Sequence, residues 1–397
     1  MSNLDGSNQQ NTENTPKDVE VVTTESSKFD DIRHYRNDEV PNAIQSILNN
    51  DQVISGISGY MFKRVPKFLS FIVKPFVKAV LKKKFAKVKT IREVQEYVAQ
   101  FMNGIIRDTT DGFTYSGFDK LDKNKGYLFI SNHRDISLDP AFINMACFAE
   151  DLDTVKIAIG DNLLRMPVAT DLMKLNKSFI VKRSISSPKE KLKAFSELSE
   201  YIGLAIKENH NVWIAEREGR AKDGNDIAEA AIMKMFYIYG KKQGFSFKDY
   251  IKQLNIVPVS ITYEYDPRDI QKARELYESA QNGEYIKSEF EDIESIVGGI
   301  TGYKGHVHIS AGAPLCGDYE NAQELADEID RYVHKHYRMF PSILAAANVT
   351  ENLDPKDKEK FEKHMAEVPQ ELKEIVRSMY AKAYENNQKA QTIQAKH

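Results

Sequence analysis

Cysteine is scarce in this 397-residue chain, and long apolar runs are missing. Only Cys147 and Cys316 occur, both in apolar or mixed surroundings. Two thiols make no disulfide framework and no Cys-based metal site, and they fit a reducing compartment. His306 and His308 alternate along an expected strand, Gly305 to Ser310, with no ligand-spaced Cys or carboxylate beside them. They read as strand residues, so no metal is expected. No stretch of eighteen apolar residues is present, so no spanning helix is expected. Met1-Ser2-Asn3-Leu4-Asp5 lacks a basic start followed by an apolar core, so no signal peptide is expected either. Strong net charge is also missing. The balance of −3 singles out no class of partner. What remains is a globular composition, 41% hydrophobic and 28% charged, with room for one large domain or two modest ones.

The pattern changes along the chain. Residues 1–28 are polar and low in large apolar side chains, so a disordered tail is expected there. Residues 29–110 read as helical, with breaks at Pro66 and Pro75. Within them, Tyr60 to Arg92 holds eleven Lys and Arg, no acid, and many large apolar side chains such as Phe68, Phe71, Phe76, Val80 and Phe85. That mixture matches an interfacial anchor on an anionic membrane, each nearby cation adding about 1 kcal/mol of attraction. The plainer reading is a helix packed on the domain with a solvated basic face. The apolar load is too heavy for a simple phosphate-binding arm, so nucleic acid is not an expected partner.

From Phe113 onward, strand-length apolar runs appear at Tyr127 to Ser131, Thr154 to Ile159, Ser178 to Lys182, Asn211 to Ala215, Ile256 to Tyr263 and His306 to Ser310. Helical patterns such as Lys189 to Lys207 and Asp226 to Tyr239 lie between them. This alternation predicts an α/β domain over 111–350, with a central mostly parallel or mixed sheet flanked by helices. Residues 266–300 read as a helical insertion between two late strands. Ala322 to Tyr337 reads as an amphipathic helix closing the domain, and 351–397 as a charged helical tail.

Chemistry concentrates at three predicted strand ends. After the first run comes Asn132-His133-Arg134-Asp135-Ile136-Ser137-Leu138-Asp139-Pro140. An imidazole with a carboxylate partner is a general base whose tautomer is fixed and whose cation is stabilised. A His near an Asp is more often an ordinary turn pair, so this signal is weak alone. The third run ends in Lys182 and Arg183, cations placed where α/β proteins bind ligands. A solvated strand terminus would look the same. The fourth ends in Glu216-Arg217-Glu218-Gly219-Arg220-Ala221-Lys222, a charged turn in which Gly219 widens the backbone's choices. The run containing Val257-Pro258-Val259 reads as plain core.

Taken together and in order, Phe129-Ile130-Ser131-Asn132-His133 with Asp139-Pro140, then Phe179 to Arg183, Glu218-Gly219-Arg220 and Val257-Pro258-Val259 resemble the four blocks of the glycerolipid acyltransferase family. Phe113 to Phe118 is similar to that family's lead-in strand. The resemblance covers roughly 113–315 and implies acyl transfer from an acyl thioester, on coenzyme A or acyl carrier protein, to a glycerolipid hydroxyl such as that of a lysophospholipid or glycerol phosphate. It implies His133 as the base, with no cofactor beyond the thioester co-substrate. Asp139 is the favoured partner, five residues intervening where the family has four, and Asp135 is the other candidate. Arg183 and Arg220, with Lys182 and Lys222, would hold the acceptor's phosphate, Glu218 would fix the loop or bind an acceptor hydroxyl, and Gly219 would belong to the same substrate-binding turn. The enzyme would act in phospholipid synthesis as a peripheral protein on the cytoplasmic face of a membrane. Two alternatives stay open: transfer to another lyso- or ornithine-type lipid, and an inactive lipid-binding protein of the same fold.

Overall fold

A computed structural model of the chain describes residues 22–61, 70–164, 167–288, 291–349, 351 and 353–392. Seven strands form one mixed sheet: β1 (Gly112–Ser116), β2 (Leu128–Ser131), β3 (Lys156–Gly160), β4 (Ser178–Val181), β5 (Val212–Ala215), β6 (Ile256–Tyr263) and β7 (His306–Ala311). Their order is β1-β7-β6-β2-β5-β3-β4. Every neighbouring pair is parallel except β6 with β7. The chain is an α/β protein with helices before, between and after the strands.

β2, β5 and β6 are buried along their whole length. Strands covered on both faces read as continuous apolar runs, which is why these segments stood out. Their side chains split by the two-residue period. Leu128, Ile130, Val212 and Ile214 enter one core with the helices Pro188–Lys207, Ala230–Lys242 and Ala322–Lys335. Phe129, Trp213, Val257, Val259 and Ile261 enter the opposite core with Leu138–Ala149 and Ile91–Thr109. Pro258 is tolerated in a central strand because the β6–β7 ladder begins only at Val259.

Several segments differ from the expected pattern. Residues 1–21 and 62–69, which hold most of the expected polar tail, Pro66 and part of the basic segment, lie outside the described residues. From residue 22 the tail is packed: Thr24 donates through its backbone N and its hydroxyl to the Glu208 carboxylate at 2.9 and 2.5 Å, and Phe29 is fully buried. Pro75 does not break the chain but sits inside the Ser70–Phe85 helix, at the cost of one backbone hydrogen bond. On that helix Val77 is buried while Phe76 and Val80 are exposed beside its lysines. No helix among the described residues is long and apolar enough to cross a membrane.

The charged C-terminal residues are likewise packed. The Lys373–Thr392 helix buries Val376, Met379 and Tyr380 in a core shared with Phe361 and Ala345. Between β6 and β7 lie the helices Asp269–Asn282 and Glu291–Thr301. The Tyr380 phenol donates to Asp269 at 2.8 Å and accepts from the Asp266 backbone N at 2.9 Å, fixing the first of these to the C-terminal helix.

Candidate active site

The carboxyl ends of β2, β3, β4, β5 and β6 lie at one rim of the sheet because these strands run in the same direction. Loops leaving that rim can meet, which is where open α/β sheets hold ligands. They surround a cleft of about 400 Å³ whose lining includes His133, Arg183, Glu218, Gly219, Arg220 and Lys222.

His133 follows β2 at its second position. Asn132 before it is fully buried and clamps the loop. Its amide accepts from Ile261 N at 2.8 Å and donates to Ile261 O and to Asp226, both at 3.0 Å. The Nδ1 of His133 meets Asp139 Oδ2 at 2.8 Å. A carboxylate accepts only, so Nδ1 carries the proton and Nε2 is left as the basic nitrogen. The ring also meets Trp213 edge-on, with centroids 5.6 Å apart.

Asp139 has no exposed surface and four donors. Oδ2 also accepts from the backbone N of Arg134 at 2.6 Å and of Asp135 at 2.9 Å, and Oδ1 accepts from the Tyr263 hydroxyl at 2.8 Å. It lies in the first turn of the Leu138–Ala149 helix, where the positive end of the helix favours a carboxylate. Asp135 has a different task. Its Oδ1 accepts from Ser137 N at 3.0 Å and Leu138 N at 2.9 Å, shaping the turn into that helix. Its other oxygen lies against Gly299, where an added Cβ would come within 2.0 Å. It makes no hydrogen bond to His133. Burial first, then the Asp139 charge, pushes its pKa up.

The cations divide. Arg183 lines the cleft, half-exposed; its guanidinium pairs with Glu218 at 3.8 Å, while its backbone N donates to Asp161 at 3.1 Å. Gly160 gives it room, since a Cβ there would lie 3.1 Å from its Cδ and Nε. Arg220 also lines the cleft and forms no ion pair with any described residue. Lys222 lines it but is paired with Glu275. Lys182 does not line it. Its ammonium faces Asp31 at 3.4 Å and Glu197 at 3.5 Å, because adjacent residues of an extended chain point to opposite faces. The expected phosphate-binding set therefore loses Lys182. Gly219 takes a positive φ of 75° and a Cβ there would meet nothing, so its role is in the backbone.

Other residues of this rim escaped the sequence reading. The Asp269–Asn282 helix presents Lys272 and Glu275, one turn apart, to both loops. Lys272 donates to Arg134 O at 2.7 Å, and Glu275 pairs with Lys222. Behind the His loop, Arg134 donates to the buried Asp226 at 2.6 Å, and the Tyr337 hydroxyl donates to the same oxygen. Asp226 precedes the Ala230–Lys242 helix instead of opening it, as the apolar pattern had implied. Beside it Glu216 is fully buried, and neither carboxylate oxygen has a hydrogen-bond partner among the described residues. Burial, followed by the Asp226 and Asp330 charges, raises its pKa well above the usual range. Glu216, directly after β5, carried the one signal, a charged side chain at a strand end; Lys272, Glu275 and Tyr337, on or after helices, carried none.

A second group, Asp111, Glu264 and His306, has ligand atoms close enough to hold a metal ion. The Lys360 ammonium already lies 2.8 Å from Asp111 and 4.0 Å from Glu264, supplying the positive charge there.

Residues 112–262 match the acyltransferase family. Among solved structures, the 1-acyl-sn-glycerophosphate (LPA) acyltransferase, PlsC, from Thermotoga maritima is similar at 12% identity with a TM-score of 0.36, over 71% of this chain and 92% of that chain. No curated protein matches the chain.

Proposed function

We propose, for a chain whose residues 112–262 match the acyltransferase family, that it moves a fatty acyl group from a coenzyme A or acyl-carrier-protein thioester to the hydroxyl of a lysophospholipid or glycerol phosphate. The observation that carries this reading is the His133–Asp139 pair at 2.8 Å, opening on a cleft that also holds Arg183 and Arg220. A base beside two weakly compensated guanidinium groups suits an acceptor that carries both a hydroxyl and a phosphate.

In the proposed step, Nε2 of His133 takes the acceptor's hydroxyl proton as the oxygen attacks the thioester carbonyl carbon. The C–S bond then breaks, and the leaving thiolate takes the proton back from the imidazolium. Asp139 stabilises that cation throughout. General-base help of this kind contributes roughly 10²–10⁴ in rate. The thioester is already activated, so the step runs through no covalent enzyme intermediate. Arg183 and Arg220 hold the phosphate, with Lys222 held back by Glu275. Leu163, Val181, Phe195, Leu198, Ile232 and Met235 give the cleft an apolar wall suited to an acyl chain. The exposed Phe76 and Val80 among lysines support a peripheral position on an anionic, cytoplasmic membrane face.

The test is an acceptor screen by mass spectrometry, with purified protein, palmitoyl or oleoyl thioesters and a panel of lyso-lipids. Transfer to a phosphate-bearing glycerolipid, abolished in a folded His133→Ala variant, is the expected result. Vesicle binding without thioester consumption would replace this reading with that of an inactive lipid binder. Transfer confined to phosphate-free lipids, such as ornithine-type lipids, would overturn the phosphate role of the arginines.

A further inference from the structure

Tyr263 is the last residue of β6, a strand whose sequence read as plain core. It is 6% exposed, and its hydroxyl lies 2.8 Å from Asp139 Oδ1, on the opposite carboxylate oxygen from His133. The other two donors to Asp139 are backbone amides, so among the described residues Tyr263 is the one side chain besides His133 that bonds this carboxylate. Resting on the acyl-transfer reading, we infer that Tyr263 is a positioning residue that sets the basicity of His133 through Asp139.

Tyr263 and His133 are coupled through the charge they share on Asp139. A phenol that donates to a carboxylate withdraws part of its negative charge, and the imidazole on the other oxygen feels what is left. The phenol stays protonated, because burial and then the Asp139 charge push its pKa well up. Its ring is fixed by an edge-on contact with Phe142, centroids 6.0 Å apart, and by the β6–β7 pairing of Tyr263 with Val307. The other charges near this relay are Asp135 from the His loop, Asp266 from the segment after β6, and Arg220 and Lys304, which act on Asp135. The Arg134 guanidinium is turned to Asp226. None of these charged side chains is hydrogen-bonded to Asp139, so removal of the Tyr263 phenol is separable from their effects.

The experiment is a titration of the His133 imidazole by nitrogen-15 NMR in the full chain, the signal assigned by its loss in His133→Ala. Tyr263→Phe leaves the carboxylate more negative, so the His133 pKa should rise by roughly half a unit. Difluorotyrosine at position 263 is a stronger donor and keeps the shape, so it should lower the same pKa. The second variant also guards against misfolding of the first. The acidic limb of the kcat profile should move to higher pH in Tyr263→Phe and to lower pH with difluorotyrosine, with the acceptor KM unchanged in both. An unmoved His133 titration in both variants overturns the inference, because packing alone predicts that. The titration needs no turnover. A protein without transfer activity defeats the functional reading alone, and an active one with an unmoved titration defeats this inference alone.

Discussion

The two halves of the cleft are built differently. On the β2 side every polar atom that meets His133 is spoken for. Asn132 is bonded three times, Asp139 four times, and both are fully buried. On the β4–β5 side Glu218 is 66% exposed, its ion pair with Arg183 spans 3.8 Å, and Arg220 has no ion-pair partner among the described residues. The first half is organised before any ligand arrives. The second leaves its two guanidinium groups weakly compensated for one. Acid–base chemistry needs a base held within hydrogen-bond reach of the proton it takes, whereas gripping a phosphate rewards guanidinium groups that are not already satisfied.

The contrast is sharpest at its extremes. His133→Ala should cost roughly 10²–10⁴ in kcat with the circular dichroism spectrum unchanged; near-normal turnover would erase the distinction. Asp139→Asn should cost roughly a hundredfold or more, while Asp135→Asn, which only weakens the turn into a helix, should cost about 1 kcal/mol of stability in a denaturant titration and leave kcat close to normal. The reverse ranking would mean that the His loop rearranges when substrate binds. For the open half, Arg220→Ala should raise the acceptor KM about tenfold and leave kcat nearly unchanged, since one charged hydrogen bond contributes ~1.5–3 kcal/mol. Lys182→Ala should change neither parameter, as exposed pairs contribute ~0–1 kcal/mol.

The smallest effect concerns pH. Burial, then the Asp226 and Asp330 charges, raises the Glu216 pKa in the fold above its unfolded value, so the folded state binds more protons between the two. Stability should therefore fall as pH rises above the ordinary glutamate pKa and level off above the folded value. Glu216→Gln should remove that slope, giving a higher Tm near pH 7 and little difference at pH 4. Parallel Tm profiles for the two proteins would show that Glu216 is not held as the neutral acid.

Much of the rigid half could be read from the chain, because strands buried on both faces announce themselves as apolar runs and place their final residues at the rim. His133 was legible for that reason. The choice between Asp135 and Asp139 was not, since it depends on how five intervening residues bend. Alternation along β4 could have separated Lys182 from Arg183, had the face of Val181 been known. Lys272 and Glu275 were out of reach: a charged helix between two strands gives no sign of which side faces inward. The C-terminal residues misled by composition, for a charged helix needs only one apolar stripe to be packed.

That C-terminal packing bears on how the protein is made. The helix that ties the His loop to the Glu-Gly turn is itself held by Tyr380, more than a hundred residues downstream. A nascent chain can have every sequence block of the cleft outside the ribosome and still lack its finished geometry until the Lys373–Thr392 helix emerges and docks.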